Sequence, residues 1–214
     1  MTKRRRHPNR RTALLLGAAA LSGPLLPRTA LAQPSAAAPI DSPFFAERVA
    51  AGTLPPLAER LPRQPRVIDL ARMGRTLGRH GGTIRMLMGD QRDIRMMTLY
   101  GYTRLLVYDD KLDLVPDLLE SFDIREGRIF TLRLRAGHRW SDGSPFTSED
   151  FRYWWEDIAN NERLSPGGPP LALLSAGEPP VFEVLSETEV RYSWKTPNPV
   201  FLPALAGAQP TYLF

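Results

Sequence analysis

Three features of the sequence predict a mixed α+β fold. Short stretches show the two-residue alternation of strands, turn chemistry pairs them into hairpins, and one well-delimited amphipathic helix is set between them. The clearest strand is 129–135, where Phe130, Leu132 and Leu134 alternate with Thr131, Arg133 and Arg135. One face of such a strand meets a core and the other meets water. The helix opens near Ser148, because Thr147 followed three residues later by Asp150 can satisfy orphan backbone donors. Its apolar positions Phe151, Trp154, Trp155 and Ile158 have the i, i+3, i+4, i+7 spacing of one buried stripe, and Asn160-Asn161 can end it.

The remaining elements follow in chain order. Residues 33–39 combine Ser and Ala with two prolines and read as a flexible leader. Ser42-Pro43 starts a short helix that Gly52 ends, since Pro suits the first turn and Gly the position just past the last one. Residues 53–66 hold four prolines and are expected to run extended, with at most one helical turn near Ala58. A strand is expected at 83–88, a short helix around 95–100 and a strand at 104–108, with a turn at Asp109-Asp110-Lys111. Residues 114–120 read as a tight Pro-containing segment. A hairpin joins 121–124 to 129–135 across Arg125-Glu126-Gly127-Arg128, and a second joins 181–185 to 190–194 across Ser186-Glu187-Thr188. Between the helix and this second hairpin, 163–180 is rich in Gly and Pro and reads as a long surface loop. No internal repeat is visible.

The densest motif is His138-Arg139-Trp140-Ser141-Asp142-Gly143-Ser144-Pro145-Phe146-Thr147-Ser148-Glu149-Asp150-Phe151. It orders a strand end, a Trp-containing turn and a capped acidic helix start. This order resembles the extracellular solute-binding proteins of the oligopeptide and dipeptide type, family 5. Upstream, Gly81-Gly82-Thr83-Ile84-Arg85 and Leu114-Val115-Pro116-Asp117-Leu118-Leu119-Glu120-Ser121-Phe122 fit the same pattern, and so downstream do Thr188-Glu189-Val190-Arg191-Tyr192-Ser193-Trp194 and Pro197-Asn198-Pro199. The resemblance covers 81–214, and residues 52–62 are similar to the N-terminal extension of a larger subgroup. It implies the N-terminal portion of a two-lobed periplasmic-binding-protein type II fold. It also implies a non-enzymatic, substrate-binding component of an ABC importer that takes peptides or other small solutes and docks on permease subunits. Oligosaccharide, nickel and opine binders occur among such proteins, and a stand-alone exported interaction module is a further alternative. Complete members are more than twice as long, so a truncated chain lacking much of the ligand cleft is expected.

The charge distribution sets aside another class. Of the 28 basic residues, seven lie in 1–32 with none of the 23 acidic ones; the rest, with 21 basic and 23 acidic residues, is at −2. The basic pI therefore reflects an N-terminal targeting segment and no nucleic-acid surface. That segment has a basic region through Arg11, an apolar run over 13–26 broken by Gly17, Gly23 and Pro24, and a small-residue site at Ala30-Leu31-Ala32. The run is too short and broken for a membrane span. Arg10-Arg11 favours a twin-arginine signal over the general secretory one, although Ala13 stands where the usual pattern prefers Phe. Cleavage after Ala32 leaves a soluble periplasmic protein. The absence of cysteine removes disulfides, thiolate metal sites and a lipid-anchored cysteine together. The expected organisation is thus a signal peptide over 1–32, a leader and Pro-rich extension over 33–80, and the solute-binding part over 81–214.

Candidate functional residues are few. The resemblance brings the segment after the first strand to the cleft edge, here Gly89-Asp90-Gln91, where a carboxylate and an amide can bond a peptide ammonium or backbone; an ordinary polar turn uses the same residue types. Tyr100 and Tyr102 are further cleft candidates. Trp140, Asp142, Gly143, Thr147, Asp150, Trp154 and Trp155 are assigned to structure: the Trp pair by its place on the helix stripe, the acids by the helix start. His7, His80 and His138 have no metal-ligand spacing, and no catalytic triad, phosphate loop or cofactor motif is present.

Overall fold

The computed structural model describes residues 39–97 and 101–207. The targeting segment, with Ala30 and Ala32, lies outside them, as does Tyr100. In the extension, the Ser42 hydroxyl accepts from the Phe44 N–H (3.4 Å) and opens a 3-10 turn, Pro43–Phe45, that runs into α1 (Ala46–Ala50). Gly52, at φ +67°, ends it. A single turn, α2 (Leu57–Arg60), follows. Arg60 closes the extension on itself by pairing with Asp41, donating to the Pro55 carbonyl (2.9 Å) and lying over the Phe45 ring. The extension is then fastened to the body. The Arg63 N–H donates to the Ala136 carbonyl (3.0 Å), Arg135 to the Gln64 carbonyl (3.2 Å), and Arg66 pairs with Asp117 (3.1 Å). Gly137 permits the approach: it sits at φ +89°, and a Cβ there would lie 3.4 Å from the Arg63 nitrogen.

The strand expected at 83–88 is not formed. Its alternation is real, but a strand needs a partner for its backbone groups, and none of the described residues pairs with it; Ile84 and Leu87 point into solvent. Of the helix expected around 95–100, residues 98–100 lie outside the described residues, and 95–97 belong to a 3-10 helix at Gln91–Met97. Its start is set by Asp93, whose carboxylate accepts the Gly89 (2.9 Å) and Asp90 (3.0 Å) N–H groups. Residues 114–120 also differ from expectation. Leu114–Pro116 is a strand (β2) pairing antiparallel with β1 (Leu106–Tyr108), and Pro116 is tolerated because it is the last residue of the ladder. The Asp109 carboxylate makes the turn between them by accepting from Lys111 and Asp113, both at 2.9 Å.

Four antiparallel strands, β3 (Leu119–Arg125), β4 (Ile129–Leu134), β5 (Val181–Ser186) and β6 (Glu189–Ser193), form the main sheet in the order β3-β4-β6-β5. Both hairpins are local. Glu126 and Gly127, at φ +53° and +62°, form the two-residue turn whose twist matches paired strands. The hairpins join through β4 and β6, with Leu132 opposite Val190 and Phe130 opposite Tyr192. Phe130, Leu132, Leu134, Val190 and Tyr192 are buried on one face, whereas the other carries the cross-strand pairs Arg133–Glu189 (3.1 Å) and Arg191–Glu183 (3.7 Å).

Against the buried face lies α3 (Ser148–Tyr153), which widens into a π-helical turn at Trp154–Ala159. Phe151 and Trp154 are buried as the stripe predicts. The wider turn shifts the register beyond them, so that Ala159 is buried and Trp155 and Ile158 are only partly so. Asn160 ends the turn by donating its side-chain amide to the Trp155 carbonyl (2.6 Å).

The segment 163–180 is not merely a surface loop. Leu173 is buried in a 3-10 turn at Leu171–Leu173, the Trp194 indole N–H donates to its carbonyl (2.9 Å), and Asn198 donates to the carbonyl of Ala172 (3.0 Å). Asn198 also receives the Val200 N–H (3.3 Å) just ahead of α4 (Phe201–Leu205), whose Phe201 ring lies 5.0 Å from each of Phe130, Tyr192 and Trp194. Pro203 is accommodated because it stands in the first turn. No helix among the described residues is long and apolar enough to cross a membrane.

Candidate functional site

The Trp-containing turn is held by a dense set of polar bonds. A bridge between Arg139 and Pro145 sets its neck. Within it, the Trp140 N–H donates to the Ser144 carbonyl (2.9 Å), the Gly143 N–H to the Trp140 carbonyl (3.0 Å), and the Asp142 carboxylate accepts the Ser144 N–H (2.8 Å). The last bond holds the Asp142 carboxyl below its ordinary value. Gly143, at φ +93°, takes a conformation that side chains rarely adopt. Arg139 donates to its carbonyl (2.8 Å).

Asp150 joins this turn to α3. One carboxylate oxygen accepts the Trp140 indole N–H (2.9 Å) and the other the Thr147 N–H (2.7 Å), while the Thr147 hydroxyl receives the Glu149 N–H (3.2 Å). Trp140 and Phe146 meet edge to face at 5.1 Å, and Phe146 continues to Phe151 at 5.7 Å. The turn is thus seated on the aromatic core. Trp154 and Trp155 lie 6.3 Å apart, and Trp155 packs on Phe182 at 6.2 Å.

The cleft candidates are arranged otherwise. Asp90 and Gln91 lie at the exposed start of the 3-10 helix, where Asp90 pairs with Arg92 (3.2 Å). Tyr102 is largely exposed, and its carbonyl accepts from the nearly buried Arg104 (3.4 Å). No hydrogen bond joins Tyr102 to Asp90 or Gln91 among the described residues. Two groups escaped the sequence reading. An open groove of about 1020 Å³ runs between the extension and the Trp turn, lined by Arg48, Pro55, Arg60, Arg63, Arg139 and Trp140 among others. Its only sequence signal was arginine scattered through the Pro-rich stretch. The second group is His138. Its buried Nε2 has no hydrogen-bond partner among the described residues, and burial, aided by the Arg135 charge and opposed by Asp117, lowers its pKa.

Comparison with known proteins places this geometry. Residues 113–214, which hold the sheet, the Trp turn, α3 and α4, match the family described as bacterial extracellular solute-binding proteins, family 5 Middle. The periplasmic alpha-galactoside-binding protein of Rhizobium meliloti (strain 1021) is 34% identical over 137 residues, 55% of this chain and 20% of that protein. The periplasmic oligopeptide-binding protein OppA of Escherichia coli (strain K12) is 37% identical over 62 residues, 29% of this chain and 11% of that one. Among solved structures, an oligopeptide-binding protein OppA superposes with a TM-score of 0.65 at 29% identity, over 77% of this chain and 25% of its own. The periplasmic binding protein MelB of Agrobacterium fabrum C58, in complex with stachyose, does so with a TM-score of 0.56 at 26% identity, over 76% and 28%. The chain therefore spans between 11% and 28% of the length of these relatives. Over residues 113–214 this chain matches the bacterial extracellular solute-binding proteins of family 5, and its fold agrees with that match.

Proposed function

We propose that the chain serves as the N-terminal part of the periplasmic substrate-binding component of an ABC importer for peptides, and that it has no catalytic role. The observation that carries this reading is the superposition on an oligopeptide-binding protein over three quarters of the chain. In this reading the protein is exported by the twin-arginine route, cleaved after Ala32, and presents its ligand to permease subunits, with Asp90, Gln91, Tyr100 and Tyr102 at the cleft edge. An oligosaccharide ligand is the second reading, favoured by the alpha-galactoside-binding relative, whose match extends over 137 residues.

Thermal shift of the protein purified from the periplasm of its own host separates the two. Stabilisation by short peptides supports the first, stabilisation by stachyose alone moves the assignment to the second, and no shift with either up to about millimolar, a level worth only about 4 kcal/mol, refutes a carrier role. N-terminal sequencing of the same material is expected to read from Gln33. Replacing Arg10-Arg11 by Lys-Lys is expected to block export, because the twin-arginine receptor reads the pair and not its charge; unchanged export refutes that route.

A further inference from the structure

The groove between the extension and the Trp turn is separate from Asp90, Gln91 and Tyr102 in its lining residues, and its chemistry is specific. Arg48, Arg63 and Arg139 line it with exposed side chains. Among the described residues, the guanidinium groups of Arg48 and Arg63 make no ion pair and no hydrogen bond. The acids on its wall do not cancel them: Glu59 and Asp142 face Arg48, Arg63 and Arg139, since Arg60 is already paired with Asp41, and the lining keeps a positive excess. Trp140 adds an apolar surface. It is 43% exposed, and because its indole N–H is bonded to Asp150, what it presents to the groove is ring rather than a polar handle. Pro55, Pro62 and Leu54 supply further apolar wall without demanding charge.

We infer that this groove is a docking site for an acidic peptide segment, with carboxylates on Arg48 and Arg63 and an apolar side chain against the Trp140 ring. Charge complementarity selects the occupant. Unpaired arginines beside an aromatic surface suit carboxylates, which guanidinium groups take as two-point partners, and disfavour basic segments. The wall is assembled by the fastening of residues 62–66 to the body, so the site exists only when the extension is docked.

The test uses the full chain and a fluorescein-labelled probe peptide of alternating glutamate and phenylalanine, acetylated and amidated so that peptide termini play no part. Anisotropy is expected to show saturable binding that weakens as salt rises. The double variant Arg48→Glu/Arg63→Glu is expected to bind roughly tenfold or more weakly, while Arg125→Glu, on the exposed face of the sheet, leaves binding unchanged. Both replaced groove side chains are exposed and make no hydrogen bond or ion pair among the described residues, so the variant is expected to keep its fold, which circular dichroism verifies. Equal binding of the glutamine version of the probe, equal binding by the double variant, or preference for a short oligothymidylate over the peptide each overturns the assignment.

Discussion

Asp150→Ala removes a carboxylate that ties the Trp turn to α3, and its cost can be worked from the geometry. The substitution takes away an acceptor for the Thr147 N–H at 2.7 Å and for the Trp140 indole N–H at 2.9 Å. Loss of a helix-start acceptor costs about 1 kcal/mol, and a hydrogen bond to a charged group about 1.5–3 kcal/mol. Trp140 is partly exposed, so water can replace its lost partner and the second figure falls to its lower end. The expected total is about 2–3 kcal/mol, or about 4–12 °C in Tm for a domain of this size. Asp150→Asn keeps an acceptor oxygen and is expected to lose about half as much. Trp140→Phe removes the indole bond together with part of the ring packed on Phe146, and is expected to cost about 1.5–2 kcal/mol. In a double-mutant cycle, Asp150→Ala with Trp140→Phe should show a coupling of about 1 kcal/mol, since both remove the same bond. Urea denaturation followed by far-ultraviolet circular dichroism reads the four variants and the parent without relying on tryptophan emission. If Asp150→Ala lies within about 0.5 kcal/mol of the parent, the reasoning that this carboxylate organises the turn is refuted.

Three further outcomes follow from the core and its buried polar atoms. Trp154→Ala should cost about 3–5 kcal/mol and Trp155→Ala less, because only Trp154 is buried; equal losses in a denaturant titration would contradict the packing described. Tyr192→Phe should leave stability unchanged or raise it by about 1 kcal/mol, since the buried Tyr192 hydroxyl has no partner among the described residues and burial pushes its pKa far up; a measured loss above about 0.5 kcal/mol would count against this. His138 titrates lower in the folded than in the unfolded chain, whose value is near 6.5, so protons bind preferentially to the unfolded state and Tm should fall as pH drops below about 6.5. His138→Phe should flatten that part of the Tm profile, and an unchanged slope would show that other groups cause it.

The hairpins, the strand 129–134 and the start of α3 were legible because each is encoded by neighbours: alternation, a Glu-Gly turn, a hydroxyl followed by a carboxylate. What was not legible depends on residues far apart in sequence. Nothing in 163–180 announces that Leu173 is buried, because its burial depends on Trp194 and Asn198 reaching back to it. Residues 83–88 carry strand alternation but find no partner among the described residues, and periodicity cannot supply one. The π turn at Trp154 is likewise a packing outcome: the apolar spacing suits an α-helix, and the core takes Ala159 in preference to full burial of Ile158. At the candidate sites, the Trp turn was read from its own residues, whereas the arginine groove arises only where the extension folds back onto Ala136.

The sheet order bears on how the chain acquires its structure. Each hairpin closes across a two-residue turn, a microsecond event, but the seam between them pairs Leu132 with Val190, roughly sixty positions apart. Closing so long a loop makes the meeting of the hairpins the slow step and places the transition state at that seam. During synthesis the first hairpin emerges well before its neighbour exists. A two-stranded ribbon is marginal in water, and this one displays Phe130 and Leu132 on an uncovered face. Until Ser193 has been made, α3 is the newborn ribbon's nearest cover, and the interval between the two hairpins is when the chain is most exposed to aggregation.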